Sequence, residues 1–302
     1  MAAASDLSRS SAKADRAFGL KLVAPAMMLL AVLLAVPTVL TAVYSLHDVP
    51  ASGSSFGPFV GIENYTIIFS SPVFWRSVQV TLTFSIGFVV LSTLIGLAMA
   101  MLLNQRFIGR GLARALLIIP WATPWLVIGI LWKWFADGSV GGLNAVLLML
   151  GLSDTYHPFL SDPNTALPIT VIAAVWRQAS FAGILLLAGL QSLPEELYEA
   201  AQLDGANWWQ RFTNITLPWL KPVLITVTVF NVIYAFLQFD VVFAMTQGGP
   251  GDTTQVLSVL IYRQLFVNTN IGLGSALAVI LGVVALVGGL MIVKMFYRRE
   301  AL

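Results

Sequence analysis

Apolar positions in this chain do not alternate with polar ones; they run in blocks. Six stretches, residues 22–46, 78–103, 115–135, 166–190, 223–245 and 271–293, are long and nearly free of charge. A helix rises about 1.5 Å per residue, so about 20 apolar residues cross a hydrocarbon core of roughly 30 Å. Lipid offers no partner to a bare peptide group, and these runs are too long and unbroken for barrel strands. Each is therefore predicted to be a helix, giving an all-α membrane protein of six transmembrane spans. Residues 144–152 are apolar but too few to cross, and read as an interfacial or loop helix. The first run exceeds the roughly 7–15 apolar residues of a signal peptide, so it reads as a retained anchor. The chain then divides into an arm (1–21), a membrane domain (22–296) and a tail (297–302). The first dozen residues, rich in Ala and Ser, are expected to be disordered.

Charge orients the spans. Of the 16 Lys and Arg, all but Arg76, Lys133, Arg177 and Arg263 fall in the arm, the second and fourth loops, or the tail. The odd-numbered loops carry Asp48, Asp137, Asp154, Asp162 and Asp252 instead. An excess of Lys and Arg marks the cytoplasmic side, so both termini and the fourth loop are predicted to be cytoplasmic. Lys133, between Trp132 and Trp134, reads as an interfacial anchor.

That fourth loop, residues 191–222, is the conspicuous polar insert. Ser192-Leu193-Pro194-Glu195 has the form of a capping box with Pro in the first turn. The helix it starts would run to about Leu203, with Gly205 supplying the positive φ of a helix end. A second short helix would start near Asn207 and end at Pro218 and Pro222. Glu195 and Glu199 share a face. Ala200, Ala201, Gly205 and Ala206, with Asp204 among them, leave the turn without bulk, so another backbone fits close to it. The residues alone are equally compatible with a solvated amphipathic loop.

Composition narrows the classes. The chain is 58% hydrophobic and 10% charged, against roughly 25% charged in soluble domains. A net charge of +2 gives no reason to expect nucleic acid. With no Cys, disulfides, thiolate metal sites and a Cys nucleophile are excluded. The two His, His47 and His157, fall in predicted loops, so no metal centre is expected. No Gly-x-x-x-x-Gly-Lys-Ser/Thr stretch exists to cradle phosphates, so the chain has no such site for hydrolysing ATP.

Glu199-Ala200-Ala201, three residues, Gly205, then Ile215-x-Leu217-Pro218 resembles the signature loop of binding-protein-dependent ABC importer permeases. Ala188-Gly189-Leu190-Gln191, Leu193-Pro194, Phe239-Asp240, Thr246-Gln247-Gly248-Gly249-Pro250, Tyr262 and Phe266 are similar to the carbohydrate branch, the maltose, trehalose and glycerol-phosphate permeases. The resemblance implies a type I importer permease fold in a bacterial or archaeal cytoplasmic (inner) membrane. It makes the helix carrying Glu195 and Glu199 a coupling helix seated in a cytoplasmic ATPase. Four kinds of partner follow from it: a second homologous permease in a heterodimer, two ATPase subunits, an extracytoplasmic solute-binding protein, and the lipid. No cofactor belongs to this chain, since ATP and Mg would be bound by the ATPase. The 247–251 turn would lie near the binding-protein interface.

A solute path needs polar groups inside spans, where they are costly and face the protein or water. Asn231, Tyr234 and Gln238 are spaced as one helical stripe in span five. Two amides and a phenol suit a neutral, hydroxyl-rich solute, though inter-helix hydrogen bonding explains them too. In span four, Gln178 and Phe181 are their counterparts, and the family places path residues on these two helices. Arg177 would pair with Asp240, bind a partner subunit, or snorkel outward. On the path, it would admit anions. Asp240 is either a wet rim residue or a ligand for hydroxyls. The glycines of span six, Gly274, Gly282, Gly288 and Gly289, are expected to let helices pack closely. The rival classes are an ion-coupled secondary transporter, for which no internal repeat is evident, and a membrane scaffold or receptor.

A reporter fused after Asp154 is predicted to read extracytoplasmic; activity of a cytoplasmic reporter there would overturn the assigned topology.

Overall fold

The computed structural model describes residues 2–49 and 57–297, so Arg298 and Arg299 of the tail lie outside it. The helices are α1 (Ala2–Tyr44), α2 (Glu63–Ser70), α3 (Pro72–Asn104), α4 (Arg110–Ala122), α5 (Trp125–Phe135), α6 (Gly142–Met149), α7 (Ala166–Gln191), α8 (Glu195–Leu203), α9 (Trp208–Arg211), α10 (Leu217–Phe236), α11 (Asp240–Thr246), α12 (Leu257–Tyr262) and α13 (Ile271–Tyr297). Wide π turns at Phe212–Thr216 and Arg263–Val267 join α9 to α10 and extend α12. Five helices are long and apolar enough to cross a membrane, and α4 with α5 supplies a sixth span bent by 99°. The short apolar segment near residue 144 is α6, as expected of a loop helix.

The boundaries correct the sequence reading at several points. The arm expected to be disordered is helical from Ala2 and continuous with span one, since Ala is the best helix former. Span three is broken at Thr123-Pro124: Pro124 has no N–H to continue the ladder, and α5 restarts after it. Span five, expected over 223–245, lies earlier in the chain: its helix ends at Phe236, and after a break the short α11 begins at Asp240. The Gln238 carbonyl freed by that break accepts the Ser258 hydroxyl at 2.6 Å.

In the fourth loop, Ser192 does not cap α8. Its hydroxyl donates to the Gly189 carbonyl at 2.8 Å, tying off the end of α7. The capping box forms one helix later, where Asn207 and Gln210 exchange bonds of 2.8 and 2.9 Å. Pro218 and Pro222 do not end the second helix either. Pro218 occupies the first turn of α10, where its missing N–H costs nothing, and the π turn before it keeps the chain helical.

The core is organised on α7, of whose membrane window 61% is buried, against 28% for α3 and 0% for α1. Phe84, Phe88, Ile128 and Val241 pack around its first half, and Ala100, Leu103, Leu220 and Val227 around its second. Small residues set the spacing. A Cβ on Gly96 of α3 would stand 2.6 Å from the Ala182 Cβ of α7, and one on Gly129 of α5 2.6 Å from the Ala244 Cβ of α11. The span-six expectation holds at Gly274, which meets Leu265, but nothing lies within 4 Å of Gly282, Gly288 or Gly289. Helix α1 leans on α13 with its apolar surface open.

Replacing Gly96 with Leu forces α3 off α7 and should destabilise the solubilised protein by about 1–3 kcal/mol. An unchanged thermal midpoint would show that the two helices do not need this approach.

Candidate functional site

The polar residues of spans four and five serve two different purposes. Gln178 on α7 donates to Asn231 on α10 at 2.7 Å, and Asn231 donates to the Thr93 hydroxyl on α3 at 3.0 Å. Gln178 is 1% exposed and Asn231 0%, so neither faces an open cavity. The predicted stripe is therefore divided: Asn231 ties three helices together, and Tyr234, one turn later, is 40% exposed. Gln238 lies past the end of α10, off the helical register, and is buried.

Arg177 does not pair with Asp240. No salt bridge involves either residue among the described residues. Instead the Arg177 Nε donates to the Thr123 carbonyl at 2.9 Å, a group released by the break in span three. Its guanidinium carbon stands 4.1 Å from the Trp125 ring centre, a cation–π contact. Asp240 opens α11 in the first turn, half-buried, where a carboxylate suits the positive end of a helix.

Around Arg177 the chain assembles an aromatic surface. Phe181, four residues on along α7, stacks on Trp121 of α4 at 6.3 Å and meets Phe230 of α10 edge-on at 5.8 Å. Tyr234, four residues beyond Phe230, lies 6.3 Å from Trp125. Helices α7 and α10 thus each present two side chains one turn apart, and Trp121 and Trp125 flank the break between α4 and α5. Trp121 and Phe230 are 42% exposed, while Trp125, Arg177 and Phe181 are half-buried. Trp121, Trp125, Phe230 and Thr93 were not picked out by the sequence reading. Pro120 and Pro124, bracketing the break and adjoining both tryptophans, were the available signal.

The 191–222 loop builds a second candidate surface. Helix α8 has no buried residue. Glu195, Glu199, Ala200, Asp204 and Gly205 are exposed, and Ala201 and Ala206 half-buried. Gly205 adopts φ +78°, with nothing within 4 Å of a Cβ placed on it. The turn closes through Ala206 N–H to the Ala201 carbonyl at 2.9 Å. Few side-chain bonds hold the loop: Arg106, between α3 and α4, to Glu195 at 2.6 Å, and within the loop Tyr198 to Thr216 at 2.7 Å and Trp219 to Ser192 at 3.2 Å. The Arg106–Glu195 pair is well exposed and so contributes little to stability.

At the other end, Arg263 holds the 247–255 turn. It bonds the Asp252 carboxylate at 2.7 Å, the Gln255 amide, and the Gln247 carbonyl at 3.1 Å. In the loops flanking α6, the Ser139 hydroxyl and the Ser139 and Val140 N–H groups hold Asp137 below the usual carboxylate range. The Asn164 N–H does the same for Asp162, with His157 3.0 Å away.

Residues 92–299 match a family described as the binding-protein-dependent transport system inner membrane component. The trehalose/maltose transport system permease protein MalF of Thermococcus litoralis is 39% identical over 89% of this chain and 90% of its own. The sulfoquinovosyl glycerol transport system permease protein SmoG of Agrobacterium fabrum is 35% identical over 88% and 86%. Among solved structures, a chain of a bacterial ABC transporter involved in the import of the acidic polysaccharide alginate superposes with a TM-score of 0.80. It is 25% identical, and the match covers 95% of this chain and 96% of that one.

Asn231→Ala and Gln178→Ala are each expected to lower the thermal midpoint of the purified protein. Combined, they should cost less than their sum by about 0.6–1.7 kcal/mol, the range for hydrogen bonds between membrane helices. Strict additivity would mean that the two amides do not share a bond.

Proposed function

The chain belongs to the inner membrane components of binding-protein-dependent transport systems, and from that membership we propose how its two surfaces divide the work of import. It is a multi-pass membrane subunit of an ATP-driven importer of sugars, and not itself an enzyme; the ATPase is a separate chain. One relative is a trehalose/maltose permease, another a sulfoquinovosyl glycerol permease. An alginate transporter has been solved with its pentasaccharide-bound periplasmic protein. A glycoside or related polyol is accordingly the proposed cargo.

The aromatic surface around Arg177 is the proposed solute path of this subunit. Aromatic faces pack on the apolar face of a sugar ring, and the guanidinium and Tyr234 hydroxyl supply polar partners. Asp240 would stand at its outer rim. Gln178 and Asn231 hold the walls of the path rather than touch the cargo. A second, non-identical permease would close the other side.

The exposed α8 and its bare Gly205 turn are the observation that carries the coupling reading. A polar helix pair moored by so few contacts, on a chain without a phosphate-binding loop, suits a lever moved by another protein. We place this loop and both termini in the cytoplasm, with ATP and Mg held by two ATPase subunits. Closure of the ATPases would move α8 and reverse which side of the membrane the path opens to. The 247–255 turn, on the opposite side, would meet the solute-binding protein.

The test is uptake of radiolabelled trehalose and maltose by the complete complex in proteoliposomes. Wild type should accumulate at least one of them in an ATP-dependent way. Gly205→Asp should abolish that uptake while membrane insertion is unchanged, because it adds bulk and charge at a positive φ. Undiminished uptake by Gly205→Asp would refute the coupling role.

A further inference from the structure

Helix α3 buries one face on the core through Phe74, Ser77, Thr81, Phe84, Ser85 and Phe88. On its opposite face, in the outer half, stand Arg76, Gln79 and Thr83, at spacings of three and four residues and all exposed. Their exposed neighbours on the same helix, Trp75, Leu82 and Ile86, are apolar and suit lipid. A guanidinium, an amide and a hydroxyl in line do not, because polar groups at a span face protein or water.

The three side chains line a hollow of about 540 Å³ with Asn164 just before α7, Leu167 from its first turn, and Thr253 from the 247–255 turn. Its partners are incompletely used. Among the described residues, Arg76 and the Gln79 side chain make no hydrogen bond or ion pair. The Thr83 hydroxyl donates only to the Gln79 carbonyl at 2.9 Å, and the Asn164 amide only to Asp162 at 3.2 Å. The acceptor oxygens of Gln79, Thr83 and Asn164 therefore remain open, beside a guanidinium with all its donors free.

We propose that this hollow is a saccharide subsite on the outer approach to the path, where Arg76, Gln79, Thr83 and Asn164 bind ring hydroxyls or an acidic substituent. The proposal rests on the importer reading above. The site lies against Thr253, in the turn proposed to meet the binding protein, so it receives cargo before the aromatic surface does. A planar guanidinium suits either a pair of neighbouring hydroxyls or a carboxylate, and the amide both donates and accepts.

Because the chain has no Cys, Gln79→Cys provides a single reactive position in it. In proteoliposomes of the complete complex, a membrane-impermeant maleimide should label Gln79→Cys from the extracytoplasmic side. Whichever of maltose and trehalose the wild type imports should slow that labelling. Gln79→Leu should raise the KM for that sugar about five- to tenfold, the loss expected of one or two hydrogen bonds. Ile86→Leu, on the lipid-facing side of the same helix, should leave KM unchanged. Labelling that fails from outside, or is indifferent to a sugar that wild type imports, overturns the subsite. So does Gln79→Leu protein that no longer co-purifies with the second permease, which would make the stripe a subunit interface. If wild type imports neither sugar, maltose and trehalose are not its cargo, and their binding at this hollow fails with that assignment.

Discussion

The constraint on which this structure depends is that a peptide group inside a bilayer must find its partner within the protein. Unbroken helices meet it automatically; breaks do not. Span three is bent in its middle and α10 stops short of α11, and a side chain from a neighbouring helix answers each break. Arg177 of α7 takes the Thr123 carbonyl at the bend in span three. Ser258 of α12 takes the Gln238 carbonyl where α10 stops. The most expensive residue to place in a span is thus made useful by the most expensive backbone feature.

The same economy separates rigid from open polar groups. The amides of Gln178 and Asn231 are consumed in a buried chain of bonds that reaches Thr93, so they fix the relation of α3, α7 and α10. What those bonds leave at the surface are aromatic faces, the guanidinium of Arg177 and the phenol of Tyr234. The bend in span three matters here, since it is what turns Trp121 and Trp125 toward α7 and α10.

Much of this was legible in the chain. Hydropathy alone located the spans, because twenty apolar residues have few other fates, and the Glu-Ala-Ala-x-x-x-Gly signature marked the exposed loop proposed to couple to the ATPase. The positive φ of Gly205 was readable because helix ends so often require it. The partners of buried polar groups were not readable. Whether Asn231 meets water or Gln178 depends on helix rotation, which no local pattern encodes. Ser192 looked like a cap, yet Gly189 and Trp219 were closer claimants for its hydroxyl. Span three read as continuous because its composition is uniform; only Pro120 and Pro124 hinted at the bend.

Helix α7 joins the two ends of the molecule mechanically. It is 26 residues long, so it measures about 39 Å, and only Ser192, Leu193 and Pro194 separate it from α8. Pressed against α3 at Gly96, it has no room to bend there and must move as a rod with its neighbour. On a rod of about 39 Å, a tilt of roughly 10° about one end carries the other about 7 Å, comparable to the width of one sugar ring.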